Sequence, residues 1–513
     1  MDFLPPFHFP SFPAAVAIPG LIVLAFYVLK RWSNPRKRNP NYPPIAGTIF
    51  HQYLNLHRLL DYQTDLSRRY KTFRILTPFC NYVFTVDPNN VEYILKTNFA
   101  NYGKGELTYD IMRDLLGDGI FAVDGEKWRH QRKIASYEFS AKVLRDYSSA
   151  VFRENATELA GIVSDMALSN QMMDMQELFM KATLDSIFRI GFGCELGVLS
   201  GSNKEGKAFA KAFDETNRQL LTRYFDVFWK IKRFLNIGSE AIMKKNVKLI
   251  DDFVYKVIDR KIEQMSKQQQ ETQMKKEDIL SRFLLERERD PDNINERYLR
   301  DIILNFMIAG RDTTAATLSW FFYMLCKHPL VQEKVAQEVR EAILLKDKVA
   351  IGDFAACLTE EALSRMQYLH AALSETLRLY PAVPLDVKLC FSDDTLPDGF
   401  DIKKGDMVNY EPYPMGRMKF LWGEDAEEFK PERWLNEVGD FVPENPFKFS
   451  AFQAGPRICL GKEFAYRQMK ILAAILVYFF RFRMWDEKQQ TVKCNAMITL
   501  QIDGGLHLCA SHR

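Results

Sequence analysis

Phe452-Gln-Ala-Gly455-Pro-Arg457-Ile-Cys459-Leu-Gly461 is the stretch that decides the fold. It sets one cysteine in a glycine-bracketed loop just before a helix-periodic run. Gly455 and Gly461 permit tight turns that a Cβ would obstruct, which predicts backbone N–H groups aimed at the sulfur and tempering its charge. A thiolate held this way can ligate an iron from one side. A lone cysteine is more often a small buried hydrophobe, so the weight of the loop depends on what accompanies it.

The pattern F-x-x-G-x-R-x-C-x-G resembles the haem-binding loop of cytochrome P-450 enzymes. The resemblance implies that Cys459 is the axial thiolate of a haem b iron and that Arg457 faces a haem propionate. Phe452 then shields the sulfur, and Gly455 and Gly461 shape the loop. Trp128-Arg-His-Gln-Arg132 matches the family's W-x-x-x-R helix, in which Trp128 and Arg132, one turn apart on one face, approach a propionate. His130 between them is read as a surface residue. Lys127, Arg129 and Lys133 make this neighbourhood basic, which suits an acidic redox partner on the thiolate side.

Arg297 to Lys327 carries apolar residues in helical register and is long enough to cross a whole domain. It contains Ala309-Gly310-Arg311-Asp312-Thr313-Thr314, and a mid-helix glycine costs about 1 kcal/mol relative to Ala. Room for dioxygen is the reason the resemblance offers for Gly310. It also implies that Thr313 donates a hydrogen bond to bound oxygen and that Asp312 relays protons. The bland alternative is that both side chains bond the helix's own carbonyls. Some relatives tether haem through a Glu where this chain has Ala309, so the haem is expected not to be covalently attached. Leu369 to Leu379 predicts a second helix, with Glu375 and Arg378 on one face and Pro381 stopping it. In the family this pair is buried and joined by an arginine from a later P-E-R segment, here Arg433, in a structural network.

Net charge is +3 with eight cysteines and no Cys/His pattern for zinc, so nucleic-acid binding has no support and the thiols are read as reduced. Phe12 to Leu29 carries no charge, and Lys30, Arg31, Arg36, Lys37 and Arg38 follow. This predicts a single-pass membrane anchor over 1–31 with its basic flank in the cytosol. A basic, proline-rich hinge follows over 32–47, then one haem-thiolate catalytic domain over 48–513. Thr72 to Val86 and Val492 to Leu508 are expected as strand pairs, the second turning at Asp503-Gly504-Gly505. Ser266 to Asp278 is expected to be a polar connection. Gly117-Asp-Gly119-Ile-Phe-Ala122 imitates a dinucleotide fingerprint but follows a helix-like run, so NADPH is expected to be used through a separate reductase.

The resemblance implies a mainly α fold with small β-sheets, the triangular helical prism of the family. It also implies insertion of one oxygen atom of dioxygen into a C–H bond. Partners are expected to be NADPH–cytochrome P-450 reductase and cytochrome b5, at the endoplasmic reticulum membrane. Phe306-Met-Ile-Ala-Gly-Arg-Asp-Thr-Thr, the Leu318-Ser-Trp-Phe-Phe run and the Trp128 segment look most like the plant branch that hydroxylates long-chain fatty acids at the omega end. Leu107, Leu115, Phe121, Phe306, Pro384, Leu385 and Leu500 are candidate pocket walls. Alternatives are a terpenoid or phenolic substrate, hydroperoxide rearrangement, or a haem sensor or electron carrier without turnover.

Overall fold

The computed structural model describes residues 41–513 apart from 78–79, 141, 225, 227, 271–277, 293, 344–348, 487–491 and 497. The anchor expected over 1–31 and most of the hinge lie outside the described residues. Among the described residues no helix is long and apolar enough to cross a membrane.

Numbering the helices of about two turns or more, α1 (Leu59–Arg69) precedes the first strand pair. α2 (Gly105–Leu116) and α3 (Gly125–Ser140) flank a turn, and α4 (Lys142–Leu168) follows. α5 (Met175–Phe192), α6 (Lys204–Thr222), α7 (Trp229–Leu235), α8 (Ser239–Gln270) and α9 (Ile279–Arg289) lead into α10 (Glu296–Lys327). α11 (Pro329–Ile343), α12 (Gln367–Leu379) and α13 (Lys462–Phe479) complete the series.

α10 is the predicted central helix. Its 32 residues span about 48 Å at 1.5 Å per residue. Asn295 caps it by accepting the Tyr298 N–H at 3.0 Å, and Pro329 follows its end at His328. Apolar on nearly every side, it is buried almost throughout from Leu299 to Leu325, as a helix in the middle of a domain must be. Its N-terminal half packs in one core with residues of α2, α5, α6, α8 and α9. Its C-terminal half packs in another with α4, α11, α12 and α13. The two cores meet between Ile308 and Ala315, and there Ala309, Gly310 and Thr313 are only half-buried.

The principal sheet has six strands in the order β1-β2-β3-β9-β6-β4, formed by β1 (Ile45–Thr48), β2 (Thr72–Leu76), β3 (Asn81–Thr85), β4 (Tyr102–Gly103), β6 (Asp386–Cys390) and β9 (Met407–Tyr410). β5 (Met173–Asp174) joins β10 (Phe480–Met484) and β13 (His507–His512), while β7 (Asp394–Thr395) pairs with β8 (Asp401–Ile402) and β11 (Cys494–Ala496) with β12 (Leu500–Ile502). The β2–β3 pair is the one expected over Thr72 to Val86.

Three expectations change. β1 pairs in parallel with β2, so residues 45–47 of the expected hinge belong to the sheet. Cys494 pairs with Ile502, which puts the hairpin turn between Ala496 and Leu500. Gly504 and Gly505, both at positive φ, instead redirect the chain into β13. A Cβ on Gly505 would collide with Asp174, so the glycine there serves a close approach. The polar connection begins later than expected, because α8 continues to Gln270.

Candidate active site

The cysteine loop is held from several sides. The Cys459 N–H donates to the Phe452 carbonyl at 2.8 Å. Gly455 has φ +65, and a Cβ on it would collide with the Leu95 carbonyl, so both its conformation and its packing require glycine. Gly461 differs: its φ of −89 is open to any residue, and it serves as the N-cap position of α13. Its N–H donates to the Cys459 sulfur, as expected of the loop. Cys459 is accessible to solvent, yet burial pushes its pKa up, so the sulfur faces an interior cleft rather than open water. The Gly461 N–H, Arg132 and Lys462 pull in the opposite direction and favour thiolate.

Arg457 ties this loop to the α2–α3 turn. It pairs with Asp124 at 2.7 Å, donates to the Val123 carbonyl at 2.9 Å and lies 4.5 Å over the Trp128 ring. Its Nε is buried without a partner among the described residues. Arg132 donates to the Ile458 carbonyl at 2.6 Å, beside the cysteine. His130 is exposed, as expected. The surrounding basic face is less open than its composition implies, since Lys127 pairs with Asp118 and Arg129 with Glu126.

Two further cations stand close by and escaped the sequence reading. Lys104 and Lys388 both pair with buried Asp386, at 2.6 and 2.7 Å, and Gln453 and Tyr410 also donate to that carboxylate. Burial alone would raise the Asp386 pKa, but the two lysines hold it well below the carboxylate range. Burial pushes Lys388 down to about 7, with Asp386 opposing and Lys104 and Arg457 assisting. Three buried cations therefore gather around one carboxylate, with Asp124 at the margin. A surplus of positive charge and an orphaned guanidinium N–H suit a bound group that carries its own carboxylates. The donor set fits haem: a thiolate facing a cleft on one side and fixed cations for propionates at its edge.

On α10, Thr313 Oγ1 donates to the Ala309 carbonyl at 2.7 Å, the local bond of the bland alternative. Asp312 does not bond its own helix's carbonyls; it is fully buried and accepts from Asn217 and Arg311. Gly310 has a packing reason of its own. A Cβ there would lie 2.7 Å from Ile187 Cδ1, so glycine lets α5 approach α10 closely.

The Glu375–Arg378–Arg433 network forms with an unforeseen emphasis. Arg378 forks onto Glu375 at 2.7 Å through both Nε and Nη2. Its remaining donors serve the carbonyls of Gly416, Ala426 and Glu428. Arg433 reaches Glu375 only at 3.4 Å and pairs better with Asp425 at 3.0 Å. Trp434 Nε1 completes the Glu375 carboxylate at 2.9 Å.

The candidate pocket walls divide between the two cores and the surface. Leu115 and Phe306 share the N-terminal core with Leu460, the neighbour of Cys459, and Ile498. Leu385 and fully buried Leu500 belong to the other core, where the Leu500 carbonyl accepts from Trp320 Nε1. Pro384 is buried, Leu107 half-buried and Phe121 exposed. The dinucleotide imitation is a packing turn: Cβ atoms on Gly117 and Gly119 would strike Asp301 and Asn305 of α10.

A buried helix crossing two cores, with a cysteine loop and a ring of cations beside it, defines a haem-thiolate protein. The chain belongs to the cytochrome P450 family, whose profile matches residues 39–509, and is a monooxygenase by that membership. It is 52% identical over 512 residues to cytochrome P450 704C1 of Pinus taeda, covering 98% of this chain and 97% of that one. It is 45% identical over 521 residues to cytochrome P450 704B1 of Arabidopsis thaliana, covering 96% and 98%. With cytochrome P450 86B1 of the same plant it shares 40% over 422 residues, covering 80% and 75%.

Proposed function

We propose that this protein hydroxylates long-chain fatty acids at or near the methyl end, using Cys459 as the thiolate ligand of haem b. When bound, the haem supplies activation of dioxygen for insertion into an unactivated C–H bond. The chain's own residues then have separate tasks. Arg457, Lys104 and Lys388 neutralise the propionates, Thr313 and Asp312 manage protons at the helix midpoint, and Gly461 and Arg132 temper the sulfur. The observation that carries the substrate class is the apolar core of Leu115, Phe306 and Ile498, which reaches Leu460 beside the thiolate. The resemblance of the α10 segment to the fatty-acid branch narrows the lipid to a fatty acid. A terminal C–H bond is stronger than its subterminal neighbours, so terminal selectivity requires a narrow passage that presents only the methyl group.

NADPH–cytochrome P-450 reductase is the proposed electron donor and cytochrome b5 a second partner, both at the endoplasmic reticulum membrane. The uncharged 12–29 stretch with its basic flank supports that location. Deleting residues up to Lys30 should release much of the protein from membranes and leave its haem spectrum intact; a truncated chain unable to bind haem would contradict a separate anchor. Reconstitution with reductase and NADPH, followed by product analysis across saturated and unsaturated fatty acids, tests the substrate. Omega-hydroxylated products are expected. Clean turnover of a terpenoid or phenolic with none of the acids would overturn the substrate class and leave the monooxygenase standing.

A further inference from the structure

Glu411 stands directly after β9 and is 0% exposed, and neither of its carboxylate oxygens has a hydrogen-bond partner among the described residues. The turn that follows it, Pro412–Met415, packs on α1. Tyr413 Oη clamps the two by donating to Asp61 Oδ1 at 2.9 Å. The Ser67 hydroxyl of α1 is near enough to Glu411 to ease its pKa down, yet makes no hydrogen bond to either oxygen. Gln63, one turn earlier on the same face, donates through Nε2 to Gln52 Oε1 of the short helix Ile49–Leu54 at 3.3 Å. That leaves Gln63 Oε1 and Gln52 Nε2 buried without partners among the described residues as well. Gln52, Gln63 and Ser67 are each no more than 3% exposed, so bulk water does not reach them.

These orphaned atoms are unequal in kind. Four are oxygens, two from Glu411 and one each from Ser67 and Gln63, against a single amide nitrogen from Gln52. A buried polar atom left alone is costly, and a buried carboxylate the more so. No basic residue offsets this one, and burial carries its pKa to about 8 against the pull of Ser67. Asp386 shows the contrast: it is buried too, but two lysines close on its carboxylate. Oxygen atoms gathered without a cation are the ligand set of a hard metal ion. One carboxylate balances one positive charge, whereas a buried divalent ion would keep a charge unpaired.

We propose that Glu411, Ser67 and Gln63 form a binding site for a monovalent metal ion, potassium or sodium, at the seam between α1 and the end of β9. Glu411 supplies the charge, and Ser67 Oγ and Gln63 Oε1 supply neutral oxygens. Gln52 orients the Gln63 amide by accepting from its Nε2. Without the ion the carboxyl holds a proton; when the ion binds, that proton passes to solvent and the carboxylate takes the metal in its place. The ion fastens α1 to β9, whose last residue, Tyr410, donates to Asp386 at 3.1 Å. It therefore also steadies the carboxylate around which Lys104 and Lys388 gather. The site belongs to the frame of the principal sheet and takes no part in the chemistry at Cys459.

The test uses the full-length, haem-loaded protein at about pH 8, where the carboxyl parts readily with its proton. Chlorides of potassium, sodium, calcium and tetramethylammonium are compared at equal ionic strength, which removes general screening from the comparison. The melting temperature should rise by about 2 °C in potassium or sodium over tetramethylammonium, with a saturating dose dependence. Release of haem to a scavenger protein should slow in the same two salts. Glu411→Gln, which keeps the shape and removes the charge, should abolish both responses, and Ser67→Ala should weaken them. Independently of any variant, crystals of the parent soaked in thallium(I), which takes alkali-ion sites and scatters anomalously, should show density between Glu411 and Ser67. Equal melts in potassium, sodium and tetramethylammonium with no thallium at Glu411 would overturn the proposal and leave these oxygens to buried water. A full potassium response in Glu411→Gln would overturn it by placing the ion elsewhere, and a larger response to calcium than to potassium would overturn the single-charge site.

Discussion

Two of the buried arginine–carboxylate clusters among the described residues, those around Glu375 and Asp312, are built to opposite standards. Around Glu375, both carboxylate oxygens and the donors of Arg378 are taken up by Arg433, Trp434, the Lys430 N–H and three carbonyls of the 416–428 passage. Around Asp312, Arg311 Nε and Asn217 Oδ1 are left over, and one end of the line reaches solvent through Asp214. A saturated buried network has a single low-energy arrangement, because any shift strands a charge. An unsaturated one has alternatives at small cost. The first kind fixes the passage that leads into the cysteine loop, and the second stands where the mechanism needs a side chain to move.

The sharpest way to break this contrast is Glu375→Ala. It strands Arg378 in the core, and a loss of about 3 to 5 kcal/mol is expected, seen as a lowered melting temperature and failed haem retention. A folded, haem-replete Glu375→Ala protein would show that the saturated cluster does not hold the fold.

Thr313→Ala removes a hydroxyl that, among the described residues, bonds its own helix at the Ala309 carbonyl. Its stability cost should be about 1 kcal/mol, while electrons from NADPH are diverted to peroxide. Peroxide and product are measured together, and unchanged coupling would return Thr313 to a purely local role.

Glu411 supplies a third case, a fully buried carboxyl with no salt bridge among the described residues, raised by burial to about 8. Its folded pKa lies above its unfolded value, so the folded state keeps a proton that the unfolded state gives up. Stability from this group is therefore present below about pH 4.5 and lost progressively as pH rises to about 8, by at most about 1.4 kcal/mol per pH unit. Glu411→Gln should flatten that slope in melts between pH 5 and 8; an identical slope would mean that Glu411 ionises freely in the folded protein.

Much of the site was legible because its chemistry is local in sequence. The cysteine loop, Trp128 with Arg132, Asp312 with Thr313, and Glu375 with Arg378 each lie within a turn or a short loop, where residue type and spacing carry the information. What stayed hidden joins distant parts of the chain. Lys104 meets Asp386 only through the β4–β6 pairing, and Asp214 meets Arg311 only when α6 packs on α10. Neither lysine stands in a pattern, although the Asp386-Val-Lys388 pair of opposite charges in the otherwise apolar run from Pro381 to Cys390 was a signal. The packing role of Gly310 was hidden for the same reason, since it answers to Ile187, more than a hundred residues away. Gly461 gives the sulfur its expected N–H without the special backbone expected of it.

The central claim is that Cys459 presents a thiolate to haem iron across the cleft where the two cores meet. Its direct test is the spectrum of the reduced, carbon monoxide-bound protein with Cys459→Ser. The account predicts loss of the long-wavelength band that marks thiolate ligation, since a serine oxygen is a poor donor to haem iron. Retention of that band in the serine variant would remove Cys459 as the ligand and contradict the account.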